Sequence, residues 1–320
     1  MTKKEIYSEW TKLSGNADLP IFMQSWWLDA VCAGKEWNVM LYPADADSAD
    51  KVVAAMPYLI RKRLGVKFVI MPQMTQIGGM TELMSEGVKD IAADFAAQLD
   101  KMGLAYYYQQ YPRGSAFPEE MAQLGFKVRK RLTYRIEDLS NLDKVIDAFS
   151  KNKKRQLQKA LSLHGERGKM NAEQFYAFHT HCLLERGKKI SYSREFLLVL
   201  EKKTQRLGCS EIVSIHNADG EVYAAAFVVW DKHSMYYLIP CYSETYKDSG
   251  AGALLVLECI KLAREKGVMF DFEGSMISGV AKHYKQFGAV GHEYCSVEKY
   301  YKWWFRFATA WNWLRLRKYN

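Results

Sequence analysis

The chain has 320 residues, 49% of them hydrophobic and 14% aromatic, enough to bury the cores of about two ordinary domains and too apolar for a disordered protein. A net charge of +9 speaks against an acidic partner-binding tail and favours an anionic partner: a phosphorylated cofactor, RNA or an acidic membrane surface. The six cysteines lie far apart with no CxxC pair, and no apolar stretch reaches the roughly 18 residues that span a bilayer, so a disulfide scaffold and an embedded membrane protein are both excluded as readings.

The start, MTKKEIYSEWTKL, carries lysines without an apolar signal core or a small-residue cleavage site, and a cytoplasmic location is expected. Downstream, KVVAAMPYLI from Lys51 has the apolar and alternating pattern of a strand, and Met71-Pro72 closes another. MPQMTQIGGM from Met71, with two glycines and polar amides, reads as a connecting loop or as the wall of a groove. Val88, Ile91, Phe95 and Leu99 recur at helical spacing, and Gly103 supplies the left-handed cap that turns this helix into the strand LAYYYQQ. A short helix, EEMAQLGF, and a final strand complete the first half.

From about Asn141 to Leu207 the pattern is that of a helical insert, basic at its start. Lys151 to Lys169 holds seven Lys or Arg against one acid, Glu166, and the apolar stripe of Leu157, Ala160 and Leu161 leaves Lys154, Arg155 and Lys159 facing outward. Lys154 and Arg155 are candidates for phosphate or tRNA contact, with a solvated face as the plain alternative. His179 and His181 lie two apart on a helix and so do not face each other; with no HExxH or Walker motif present, no metal is expected.

The second half repeats the first at nearly constant separation. EVYAAAFVVW from Glu221 matches KVVAAMPYLI, with Ala224 lying 170 residues after Ala54, and Ile239-Pro240 ends a strand 168 residues after Met71-Pro72. Leu254, Leu257, Ile260 and Leu262 form the matching helix, and Gly267 follows Gly103 by 164 residues before the strand VMFDFEG. KHYKQFGA is the counterpart of EEMAQLGF. The result is two copies of a β-β-β-α-β-α-β unit, each a mixed sheet flanked by helices.

Three stretches of the second copy carry candidate chemistry. Lys247, Ser249, Gly250, Ala251 and Gly252 form a turn between strand and helix, where backbone N–H groups and the helix dipole hold anions, or where the glycines serve tight helix packing alone. Asp271 and Glu273 alternate with Phe270 and Phe272, so both acids share one face of a strand at its C-terminal end, poised to deprotonate an amine or to pair with Lys282 or Lys285. Lys282, Tyr284 and Lys285 sit on the next helix, and the Lys285 cation suits a phosphate or a developing oxyanion. The first-copy counterparts of Asp271, Phe272 and Glu273 are Tyr107, Tyr108 and Gln109, which carry no charge, so the first copy is expected to be a substrate-binding or structural partner.

YKDSGAGALLVLECIKLAREKG, leading into FDFEGS and KQFGA, resembles the GNAT acyltransferase superfamily, and within it the tandem-domain branch that includes Fem-type aminoacyltransferases. SKNKKRQLQKALSLHGERG is similar to the basic helix that opens the second domain in that branch. The resemblance covers most of the chain. It implies an α/β (α+β) fold of two tandem GNAT-like domains: residues 1–140 a degenerate copy, 141–298 a second copy with the helical insert, and 299–320 a basic aromatic helix. It implies an acyltransferase with acetyl-coenzyme A or another acyl-CoA bound at Lys247–Gly252, where lysine replaces the family's Gln or Arg, and with a catalytic role for Lys285. The acceptor is an amine held in a groove between the copies. One alternative is Fem-type transfer from aminoacyl-tRNA to a peptidoglycan precursor, in which the pyrophosphate loop is often eroded; another is a non-catalytic ligand-binding tandem domain. The tail, with Tyr300, Trp304, Phe307, Trp311 and Leu314 among Lys299, Lys302, Arg306, Arg315, Arg317 and Lys318, suits docking on the protein itself, a dimer contact, or peripheral contact with an anionic membrane at its inner face.

Overall fold

The computed structural model describes residues 1–13, 19–32, 37–82, 90–274 and 276–307. The described residues form two compact units, Met1–Arg131 with residues 293–307, and Leu132–His292. The division falls at 131/132 and 292/293, not after residues 140 and 298.

The first unit opens with helices α1 (Lys3–Leu13) and α2 (Ser25–Val31). Strands β1 (Trp37–Tyr42), β2 (Ala54–Arg63) and β3 (Val66–Ile70) follow as an antiparallel meander, with the two-residue β4 (Thr81–Glu82) against β2. Helix α3 (Ile91–Lys101) buries Ile91, Phe95 and Leu99 at i, i+4 and i+8, and crosses to β5 (Tyr106–Tyr111), which lies parallel to β3. Gly103 links the two with φ +64°, a left-handed backbone that a side chain would strain. Val88 of the expected apolar stripe lies outside the described residues. Helix α4 (Phe117–Gln123) leads to β6 (Lys127–Ile136), whose first half, through Arg131, belongs to this unit.

The second unit takes the rest of β6. Helices α5 (Leu142–Asp147), α6 (Lys151–Ser162), α7 (Ala172–Glu185) and α8 (Arg194–Arg206) make up the insert, which is not purely helical: strand β7 (Glu166–Lys169) pairs with the strand that follows it. Strands β8 (Ser210–His216), β9 (Val222–Trp230) and β10 (Ser234–Tyr242) form the second meander. Strand β10 does not end at Pro240 but runs on to Tyr242, taking up the proline beyond a register shift between Tyr236 and Ile239. Helix α9 (Ala251–Glu265) is buried nearly all round, which suits its apolar sequence, and Gly267 (φ +71°) returns it to β11 (Met269–Gly274), parallel to β10. Helix α10 (Ser278–Lys285) and β12 (Val290–Tyr300) complete the second copy.

Each copy thus shows the expected β-β-β-α-β-α-β order, but the closing strands have changed places. In the second unit β11 pairs with the C-terminal half of β6, and in the first unit β5 pairs with β12 from Cys295 to Tyr300. For that reason Lys299 and Tyr300 are strand residues and not the start of a C-terminal helix. A turn follows, and helical backbone begins only at Phe305. Trp311, Leu314, Arg315, Arg317 and Lys318 lie outside the described residues. Among the described residues no helix is long and apolar enough to cross a membrane.

Candidate active site

Strands β10 and β11 pair over three positions only, Ser234 with Met269, Met235 with Phe270 and Tyr236 with Asp271. Beyond them the two parallel strands no longer pair, and the C-terminal ends that carry the candidate acids lie at this break, the place where open α/β sheets bind ligands. Beside it Tyr237 packs on Phe270 and Phe272, and Tyr284 of α10 stacks on Phe272 at 4.6 Å between ring centroids. The Tyr237 and Tyr242 hydroxyls lie 2.7 Å apart and share one hydrogen bond.

The two acids of β11 have different fates. Asp271 is fully buried and accepts hydrogen bonds from Thr133 Oγ1 at 2.5 Å, from Arg135 Nε at 2.7 Å and from the backbone N–H of Glu273 at 2.8 Å. Burial raises its pKa, opposed by the Arg135 guanidinium and these donors. Its charge fastens β11 to β6, so the expected alternatives for it, a shared catalytic role or a pair with Lys282 or Lys285, both give way to Arg135. Sequence reasoning missed Arg135 and Thr133, whose alternation in LTYRI marks one face of a strand without naming its partner.

Glu273 sits where the β11–β6 register shifts, with φ +63°, a left-handed conformation that costs a glutamate on the order of 1–3 kcal/mol. The residue is partly exposed, yet its Oε1 is sealed from solvent and has no hydrogen-bond partner among the described residues. Burial and, after it, the Asp271 charge hold its pKa well above the ordinary 4.5. Tyr284 feels the same neighbours: burial, then Glu273 and Asp271, push its hydroxyl up to about 12, so it stays a proton donor at neutral pH. Lys282 and Lys285 are both exposed, and the Lys285 ammonium stands 5.9 Å from the Tyr134 ring.

The Lys247–Gly252 turn is occupied by the protein itself. Gly250 has φ +81°, and a Cβ there would lie 2.0 Å from the backbone oxygen of Gln156 on α6. Ser249 Oγ donates to Tyr246 O at 2.7 Å and accepts the Ala251 N–H at 3.2 Å, while Lys247 pairs with Glu244 at 3.1 Å. Gly252 lies under Tyr242, whose ring would be 3.2 Å from an added Cβ. The Gln156 carbonyl comes so close to Gly250 that only glycine fits there, which accounts for this glycine by helix packing and leaves the turn's N–H groups as a separate matter. Here the glycines serve close helix packing.

On α6, Lys154 pairs with Asp147 at 3.3 Å, and the exposed Arg155 donates to Asn152 at 3.1 Å. Lys153, grouped by sequence with Lys154 and Arg155 as a cation for tRNA, is instead buried: its ammonium is 2.9 Å from Gln156 Oε1, 3.4 Å from His283 Nδ1 and 4.8 Å above the Phe287 ring. Burial brings its pKa down to about 8 and that of His283 down to about 4. Among the described residues, no group of three or more His, Cys, Asp or Glu is placed to hold a metal ion.

A family model described as an acetyltransferase (GNAT) domain matches residues 124–286. No curated protein is significantly similar in sequence. Among solved structures, the chain is similar to FemX, with 12% identity and a TM-score of 0.66 over 92% of this chain and 96% of that one. A tandem GNAT protein from the clavulanic acid biosynthesis pathway gives 10% identity and 0.59 over 93% and 94%. L-PGS from Bacillus licheniformis gives 12% and 0.57 over 92% and 90%. Identities this low show a shared fold.

Proposed function

The chain belongs to the GNAT acetyltransferase family, and on that premise we propose that it transfers an acyl group to an amine, with Glu273 as the group that handles the amine's proton. The observation that carries this reading is Glu273 Oε1, sealed from solvent with no hydrogen-bond partner among the described residues, at a strained backbone position where β10 and β11 no longer pair. A structural carboxylate is expected to be paired, as Asp271 is. An amine entering at this break supplies the missing partner. The bound pair is a neutral amine and a neutral acid whichever of them brings the proton, and an apolar site favours that pair over two separated charges.

The amine lone pair attacks the carbonyl carbon of the activated acyl group, the C=O electron pair moves onto oxygen, and the Tyr284 hydroxyl is the group that stabilises the oxyanion by donating to it. When the intermediate collapses, the bond to the leaving oxygen or sulfur breaks and Glu273 returns its proton to that atom. The regenerated carboxylate then takes the second amine proton and releases it to solvent. Lys285, exposed at the end of α10, is assigned to an anionic part of donor or acceptor.

For the donor, Lys247 paired with Glu244 and the Ala251 N–H bonded to Ser249 Oγ weigh against acyl-coenzyme A at this turn and in favour of an aminoacyl ester on tRNA, whose phosphates the exposed cations of α6, Arg155 and Lys159, would meet. Purified chain incubated with aminoacyl-tRNA or with acetyl-coenzyme A and a panel of amines separates the donors. Transfer from tRNA, lost at high salt and weakened by Arg155→Gln, is the expected result. Transfer from acetyl-coenzyme A, with calorimetric binding that Lys247→Ala abolishes, would restore the coenzyme A reading. Binding without transfer from either donor would favour a non-catalytic ligand-binding domain.

A further inference from the structure

Two exposed apolar features of the first unit share one basic surface. The turn from β2 to β3 reads RKRLGVK from Arg61, and its tip, Leu64, is 95% exposed on left-handed backbone (φ +48°), with Lys62, Arg63 and Lys67 exposed around it. The segment after β12 exposes Trp303 (73%) and Phe307 (69%), with Trp304, Lys302 and Arg306 also exposed. Phe305 ties the two together, its ring 5.4 Å from Phe68 of β3 and 5.9 Å from Tyr106 of β5. Neither Arg61–Phe68 nor Lys299–Phe307 contains an acid.

A lone leucine and a Trp303–Phe307 ring pair, 6.1 Å between centroids, projecting from a ring of cations do not make the contiguous groove that a helix or peptide needs. They match the membrane–water interface, where tryptophan rings sit at headgroup level and Lys and Arg meet lipid phosphates. Charge also argues against self-coverage: residues 308–320 add Arg315, Arg317 and Lys318 and no acid, and a second copy would bring the same cations.

We propose that the β2–β3 tip and the Trp303–Phe307 segment together dock the protein on an anionic lipid bilayer, with Leu64, Trp303 and Phe307 entering the headgroup layer. The tail alone was the membrane candidate in the sequence; the hairpin tip gives it a second point of attachment. The proposal does not depend on the acyl-transfer reading.

The test is cosedimentation of the full chain with vesicles of phosphatidylcholine alone or of equal parts phosphatidylcholine and phosphatidylglycerol. Binding is expected to the anionic vesicles only, and to weaken with salt. Leu64→Asp and the double change Trp303→Ala with Phe307→Ala should each weaken it on the order of tenfold. Lys62→Gln and Arg63→Gln should weaken it about fivefold each. Because all these side chains are exposed, the melting temperature is a control that should not move. Equal binding to both vesicle types, no binding to either, or Leu64→Asp binding like wild type with the fold intact would each overturn the proposal. In the second case the surface is left for an acidic protein.

Discussion

At one strand end the two copies differ. On β5 of the first copy, Tyr107 donates to Gln109 Oε1 at 2.9 Å and shares a hydrogen bond with Tyr111 at 2.9 Å, while Gln109 Nε2 donates to Pro57 O at 2.7 Å. The loop MPQMTQIGGM lies on the same strand: Gly78 N–H donates to Gln110 O at 2.7 Å, and a Cβ on Gly79 would press on the Tyr111 ring at 2.9 Å. Every polar group named there has a partner. On β11 of the second copy, Asp271 stands where Tyr107 does and is equally well satisfied, but Glu273, at the place of Gln109, has a sealed oxygen with no partner among the described residues. Duplication gave two similar strand ends. The first keeps the polar groups of its strand bonded, although Gln76 Nε2 in the adjoining loop has no partner among the described residues; the second retains an acid with an unsatisfied oxygen at a cost in stability.

The largest effect should come from the element that holds the second strand end in shape. Asp271→Ala leaves the Arg135 guanidinium, only 17% exposed, without its partner, and should destabilise the second unit by about 3–5 kcal/mol in urea denaturation. Next is the conversion of the first copy toward the second. Gln109→Glu removes the donor to Pro57 and buries an acid against a carbonyl oxygen; it should cost about 1–3 kcal/mol and bring no transfer activity. Smaller again, Tyr284→Phe keeps the stacking on Phe272 but loses the hydroxyl, so turnover should fall about tenfold, ~1.4 kcal/mol in the barrier, with the melting temperature nearly unchanged.

Much of this comparison was legible in the sequence because repeats, glycine-closed helices and strand alternation are local signals. Gly103 and Gly267 both adopt the left-handed turn their position predicts. The exchange of β6 and β12 was not legible, since either strand satisfies the same alternation in either sheet. The partner of Asp271 was hidden for a similar reason: Arg135 lies 136 residues earlier and meets it only through the β6–β11 register. For the Lys247–Gly252 turn, glycine spacing is the same whether a phosphate or a helix backbone comes close, and the approach of the Gln156 carbonyl to Gly250 became visible only in the structure. Lys153 reads in sequence like Lys154 and Arg155 because a basic helix hides which of its lysines turns inward.

The central claim is that Glu273 is an unpaired acid retained for proton transfer, and Glu273→Gln tests it with two readouts. The folded carboxyl has its pKa raised above 4.5, so at about pH 4 both folded and unfolded chains hold most of the proton and the variant should melt close to wild type. As pH rises above 4.5 the unfolded chain ionises first, and wild type loses stability relative to the variant until the folded group itself ionises. At about pH 8 the account therefore predicts a variant that melts higher than wild type and turns over on the order of 10²–10⁴ times more slowly. A variant that melts lower at every pH and keeps its turnover would contradict it.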